Sequence, residues 1–226
     1  MKIIDEIIKT AKADETIHKF LYLKQFLLKW QQLLQQTSNS KLCYMEPDIS
    51  DKDQCYNYLL PLGNQLIEFD FSIKYLRGFM NYCSNNKISL AKMPLTNVRG
   101  ELAYNNLKCH YNKCDTLLKH SSAYNDLDEV IIIPMPVGEY SFLVADGNHR
   151  ICSQVNENKH IITTTYLDYP IVSKSLNSPL QIALYCFIED VKKIRDNLGK
   201  ITDSRINNIL NINNPKGNLF IISERN

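Results

Sequence analysis

The period of the apolar residues changes abruptly around Asp146-Gly147-Asn148-His149-Arg150. Before that box, Tyr140, Phe142 and Val144 alternate with Ser141, Leu143 and Ala145, the two-residue period of a strand; after it, Ile151, Cys152 and Val155 recur as on an apolar helix face. A strand that must become a helix within five residues constrains the backbone tightly. Such a turn aims free N–H groups and the positive end of a helix dipole at one point, which suits an anion. Gly147 can take a positive φ and lets a ligand approach the backbone closely. Arg150 can grip a phosphate with two parallel hydrogen bonds. The chemistry this pattern points to is phosphate handling. An ordinary Asp-Gly turn with a polar helix start fits the same residues, and spacing alone does not separate the two readings.

The stretch ADGNHRICSQV, preceded by DEVIIIPMPVGEYSFLV and followed by HIITTTYLDY, resembles the signature region of the ParB/sulfiredoxin-like superfamily. Members carry a DGHHR-, GERR- or GCHR-type box between a strand and a helix, and many bind a nucleotide there. The resemblance covers Lys87 to Tyr169. It implies a small mixed β-sheet domain binding a nucleoside di- or triphosphate with Mg²⁺. Gly147, Asn148, His149 and Arg150 would contact the nucleotide, and Arg99 would neutralise a second phosphate. Asp146 would hold Mg²⁺ or fix Arg150, and His149 would donate to a phosphate or act as general acid. Glu101 would be a base or a Mg²⁺ ligand. Asp146, His149 and Glu101 are thus the catalytic candidates. For Arg99 and Glu101 a solvated charged loop is the plain alternative.

The departures from that pattern narrow the function. A sulfiredoxin would carry a reactive cysteine just before the box histidine, where this chain has Asn148; Cys152 follows His149 by three residues. Partition proteins add a helix-turn-helix domain, and no recognition-helix pair follows Tyr169. Free-serine kinases carry a DGHHR box with an upstream glutamate as base; Asp146, Gly147, His149 and Arg150 match, while Asn148 replaces the first histidine. The favoured expectation is a nucleotide-binding ParB-like protein. The alternatives are a small-molecule phosphotransferase (or nucleotide hydrolase) and a DNA-acting nuclease or DNA-modification-associated factor. A carboxylate near the box would favour chemistry, and a basic stripe would favour DNA.

At 226 residues with 44% hydrophobic and 22% charged residues, the chain is expected to bury a substantial core. A net charge of +2 does not by itself imply a nucleic-acid partner. The early apolar stretch is interrupted by Lys19, Lys24 and Lys29, so no membrane partner is expected, and no signal-peptide pattern is visible. Seven cysteines, an odd number, suggest free thiols of a cytoplasmic protein. Cys109, His110, Cys114 and His120 cluster in sequence, but their spacing matches no familiar zinc pattern.

Periodicity predicts an α+β protein: a helical N-terminal region (1–86) packed on a ParB/sulfiredoxin-like domain (87–170), then a C-terminal helix and tail (171–226). Helices are expected over Asp5 to Ala13, Asp14 to Gln36, Ser50 to Leu60 and Leu66 to Cys83, with Thr37 to Ser40 as a loop. Ile88 to Leu90 is a short strand candidate, Pro94 to Glu101 a loop, and Lys113 to His120 a helix. Val130 to Met135, Tyr140 to Ala145 and Ile161 to Tyr166 read as strands, with the box helix from Asn148 to Glu157. Pro179 to Leu198 is one helix, followed by an Asn-rich tail.

Overall fold

A computed structural model describes residues 2–39, 55–62, 65–98, 101–102, 107–108, 129–137, 140–147, 150–151, 154 and 161–214. The chain divides into two compact units, one of residues 1–72 with 173–226 and the other Ile73–Val172. Both helices and sheets are present, so the protein is α+β. Among the described residues no helix is long and apolar enough to cross a membrane.

In the first unit, α1 (Lys2–Lys12) and α2 (Leu23–Asn39) are joined by a run of turns. One continuous helix from Asp14 was expected. Asp14 prevents it: its carboxylate accepts from the Thr16 amide at 2.8 Å and the Thr16 hydroxyl at 2.5 Å. Such side-chain bonds offer the backbone an alternative to the helix. At the other end α2 runs through the expected loop at Thr37-Ser38. Thr37 Oγ1 donates to the carbonyls of Leu33 and Leu34 at 3.1 Å, and Ser38 Oγ to that of Gln35 at 2.9 Å. Those hydroxyls are satisfied on the helix itself.

The largest correction lies at 55–72, where two helices were expected and the structure has an antiparallel hairpin, β1 (Cys55–Leu62) and β2 (Gln65–Ser72). Ile67, Phe69 and Phe71 are buried while Glu68 is exposed, a two-residue alternation. Asn57, in register with Asp70, donates to Glu68 at 3.0 Å and Asp70 at 2.8 Å. Tyr185 meets Phe69 and Phe71 edge-on, with ring centroids 6.3 and 5.8 Å away.

Tyr185 belongs to α5 (Pro179–Asn197), the expected helix, which opens with Ser178 capping the Gln181 amide and Pro179 in its first turn. Phe187 stacks on Phe26 and meets Trp30 edge-on at 5.5 Å, tying α5 to α2. The expected tail instead forms α6 (Asp203–Ile209) and a 3₁₀ turn, Asn211–Asn213. Its asparagines act as ties: Asn213 Nδ2 donates to the Asn207 backbone and side-chain oxygens at 3.0 and 2.9 Å.

The second unit holds α3 (Ile73–Asn85) and a six-stranded mixed sheet. The strands are β3 (Ala91–Val98), β4 (Glu101–Leu102), β5 (Leu107–Lys108), β6 (Val130–Val137), β7 (Tyr140–Asp146) and β8 (Ile161–Tyr166), in the order β4-β3-β8-β6-β7-β5. The short helix α4 (Tyr169–Lys174) follows β8 across the boundary between units. Strand β3 replaces the expected loop at Pro94. Its neighbour β4 pairs only with Asn97 and Val98, so at Pro94 the described pairing is to β8 alone. A proline lacks the N–H for a second partner and is tolerated at such an edge. Val130 to Ile133 of β6 are all buried, the continuous apolar run of a strand covered on both faces. Val130, Ile132, Val144, Ile151 and Ile162 form the core that seats the turn after β7. The expected helix over Lys113 to His120 and the Cys109, His110, Cys114 and His120 cluster lie outside the described residues.

Candidate functional site: a carboxylate between two arginines

Asp146 ends β7, opposite Ile131 of β6. The next residue, Gly147, is buried with φ +96°. A Cβ there would stand 2.9 Å from Val130 Cγ2 and 3.0 Å from Val130 Cα, so the turn sits hard against β6 and only glycine fits. The Gly147 carbonyl accepts from the Ile151 amide at 3.0 Å, and Arg150, Ile151 and Gln154 have helical backbone. Strand, glycine turn and helix start therefore follow one another as the apolar periods predict, and Ile151 anchors the helix start in the core.

Two guanidinium groups meet at Asp146. Arg77 of α3 donates from Nε to Asp146 Oδ2 at 2.6 Å and also reaches the same oxygen from Nη2. Arg150, one helical turn after Asp146, places Nη2 3.5 Å from Oδ1. The side chain of Arg150 is 11% exposed, against 34% for Arg77 and 24% for Asp146. Two cations on one anion leave an excess of positive charge beside a helix N-terminus.

Of the residues singled out in the sequence, the structure brings Asp146, Gly147 and Arg150 together. Asn148, His149 and Arg99 lie outside the described residues. Glu101 starts β4, and the sheet order puts β4 four strands from β7, about 19 Å at the usual spacing of about 4.8 Å between strands. Arg77 was not singled out. It is separated from Asp146 by 69 positions and lies beside the buried Leu76 in α3, and nothing in its local pattern distinguishes it from a solvated helix arginine.

Arg77 also lines a cavity of about 610 Å³ with Asn81 and Ser84, the same face of α3, and with Leu90, Lys92 and Glu129. That volume is within the range of small-molecule sites. Lys92 Nζ lies 2.5 Å from both Glu129 oxygens and 2.8 Å from Thr165 Oγ1, and the Thr165 hydroxyl donates to Glu129. The bonds from Lys92 and Thr165 hold the Glu129 carboxyl below its ordinary range, against a smaller opposing effect of burial. Glu129 directly precedes Val130, the residue pressed against Gly147. Neither Lys92 nor Glu129 was marked by the sequence patterns.

Among the described residues no group of three or more His, Cys, Asp or Glu side chains is arranged to hold a metal ion. The Asp146 oxygens are turned to guanidinium groups, a donor set that suits anchoring Arg150 better than ligating Mg²⁺. No family model matches the chain, and no curated protein and no solved structure matches it either.

Proposed function

We propose that the protein binds a phosphate-bearing small molecule, a nucleoside di- or triphosphate, at the turn after β7, with its organic part in the cavity beside α3. The observation that carries this reading is the meeting of Arg77 and Arg150 at Asp146 beside a glycine-started helix. Asp146 holds the Arg77 guanidinium through two of its nitrogens and stands 3.5 Å from Arg150 Nη2, so part of the site is set before a ligand arrives, which lowers the ordering cost of binding. The phosphate oxygens take hydrogen bonds from the two arginines. Any Mg²⁺ would travel on the phosphates of its ligand, since the described residues do not form a cage for it.

Binding is favoured over phosphoryl transfer for a chemical reason. Among the described residues, Glu129 is the carboxylate that shares the cavity with Arg77. A carboxylate held ionised by a lysine and a hydroxyl is a weak base, so Glu129 is suited to orienting a ligand more than to abstracting a proton. The DNA-acting reading rests on the resemblance alone.

The test is a thermal-shift panel of ADP, ATP, pyrophosphate and inorganic phosphate on the wild type and on Ser84→Trp, which fills the cavity. A ligand at a hundred times its Kd stabilises the fold by about 2.7 kcal/mol. Nucleotides should stabilise the wild type, and Ser84→Trp should lose the nucleotide response while keeping that to pyrophosphate. No response of the wild type to any of the four would refute the phosphate site. Equal nucleotide responses in both proteins would refute the cavity as the place of the organic part.

A further inference from the structure

The first unit contains a carboxylate with no exposure at all. Asp190, on α5, is 0% exposed and is shared by three elements. Its Oδ1 accepts from the Asn211 amide at 2.6 Å; its Oδ2 accepts from the Ile212 amide at 3.1 Å and from Trp30 Nε1 at 3.2 Å. The titratable neighbours described around it all come from α5. Lys193 Nζ is 3.7 Å from Asp190 Oδ1 and 2.9 Å from Glu189, and the Cys186 thiol is buried nearby. Helix α2 presents the neutral indole of Trp30, and the 3₁₀ turn presents two backbone amides and the Asn211 side chain, which donates to Glu189 at 2.8 Å. Lys29 of α2 holds the far end of the turn through Asn213 at 2.6 Å.

We propose that Asp190 is a proton-operated latch: its buried carboxyl fastens the turn Asn211–Asn213 onto α5 and α2, and the gain or loss of its proton sets how firmly that turn is held. This inference is independent of the phosphate site. Three N–H donors and a lysine make the carboxylate tolerable in a dry site, while complete burial and the nearby Glu189 oppose its charge. Burial outweighs the donors and pushes the carboxyl up from its ordinary 3.8 to about 7. The sign follows. A carboxyl whose pKa is higher when buried than when free favours the closed arrangement in its protonated form. The turn is therefore held best at acid pH and loosens as pH rises towards neutrality.

The chain carries its own reporter, because Trp30 is its only tryptophan and its indole N–H touches the titrating oxygen. Emission of the intact chain, followed from pH 5 to 9, should trace a single step with a midpoint near 7. Asp190→Asn should abolish that step, and His18→Gln should leave it in place. Two milder variants keep the idea testable if Asp190→Asn does not fold. Lys193→Gln removes the nearby cation and should move the midpoint up; Glu189→Gln removes a like charge and should move it down. Amide exchange at Asn211 and Ile212, corrected for intrinsic rates, should speed up as pH rises from the ordinary carboxyl value of 3.8 towards about 7 and level off above it. A flat wild-type emission profile, a step that survives Asp190→Asn, or amide protection that ignores pH would each overturn the latch. So would midpoints that stay put, or move the opposite way, in the two charge variants.

Discussion

Replacing Gly147 by alanine should cost about 2–5 kcal/mol of stability in the second unit, and the figure can be built from two parts. An L-residue forced into left-handed backbone pays about 1–2 kcal/mol, and Gly147 sits at φ +96°. Overpacking a filled core adds about 1–3 kcal/mol, and the new methyl would lie 2.9 Å from Val130 Cγ2 and 3.0 Å from Val130 Cα. The second contact is with backbone, so no rotamer change relieves it. Val130→Ala in the same chain removes Cγ2 but not Cα or the backbone strain. The double variant should therefore be less destabilised than the sum of the singles, yet clearly less stable than Val130→Ala alone. Urea unfolding is the assay, followed by far-ultraviolet ellipticity because Trp30 belongs to the other unit. At a slope of about 2 kcal/mol per molar urea, the midpoint should fall by about 1–2.5 M. A loss below about 0.5 kcal/mol, the range of ordinary surface changes, would refute the packing of the turn against β6.

Three further outcomes follow from the geometry. Asp146→Ala leaves two arginines facing each other without their anion and should cost about 1.5–3 kcal/mol, the worth of hydrogen bonds to a charged group, as read by the same urea assay. Phe69→Ala should cost about 3–5 kcal/mol and Glu68→Ala little, since one is wholly buried in β2 and its neighbour is exposed; similar costs at both positions would contradict the hairpin. Glu129, whose folded pKa is lowered, contributes stability that is present above its ordinary value of 4.5 and is lost as pH falls through the folded value. Lys92→Met should shrink the acid-side slope of a melting-temperature profile below that pH, and an unchanged slope would show that the pair does not hold the charge.

Where one apolar period governs a whole element, the sequence was sufficient. Strand β8 spans Ile161–Tyr166 as expected, and the helix predicted over Pro179 to Leu198 is α5. Local pattern failed where two periods meet inside one window. Phe69 belongs to the alternation Ile67, Phe69, Phe71, but it also stands at helical spacing from Ile73, Leu76 and Met80 of α3, so the hairpin strand and the helix merged into one helical reading. Pro94 hid β3 because a proline argues against a strand until the pairing on each side is known. The turn at Asp146 and Gly147 was visible because its chemistry is local. Arg77 and Glu129 were not, because what selects them is proximity across the fold: 69 positions separate Arg77 from Asp146, and 37 separate Glu129 from Lys92.

The central claim is that Arg77 and Arg150, set by Asp146, form a phosphate site, and calorimetric titration of ADP and ATP tests it most directly. The proteins to compare are the wild type, Arg77→Ala, Arg150→Lys and Arg150→Ala, each checked for folding by ellipticity. The wild type should bind. Arg150→Lys should weaken binding although the charge is kept, because lysine loses the planar two-point grip. Arg150→Ala should weaken it by about 1.5–3 kcal/mol, and Arg77→Ala should weaken it as well. Folded variants that bind as tightly as the wild type, or a wild type that binds neither nucleotide, would contradict the claim and leave Asp146 and its arginines as a structural clamp.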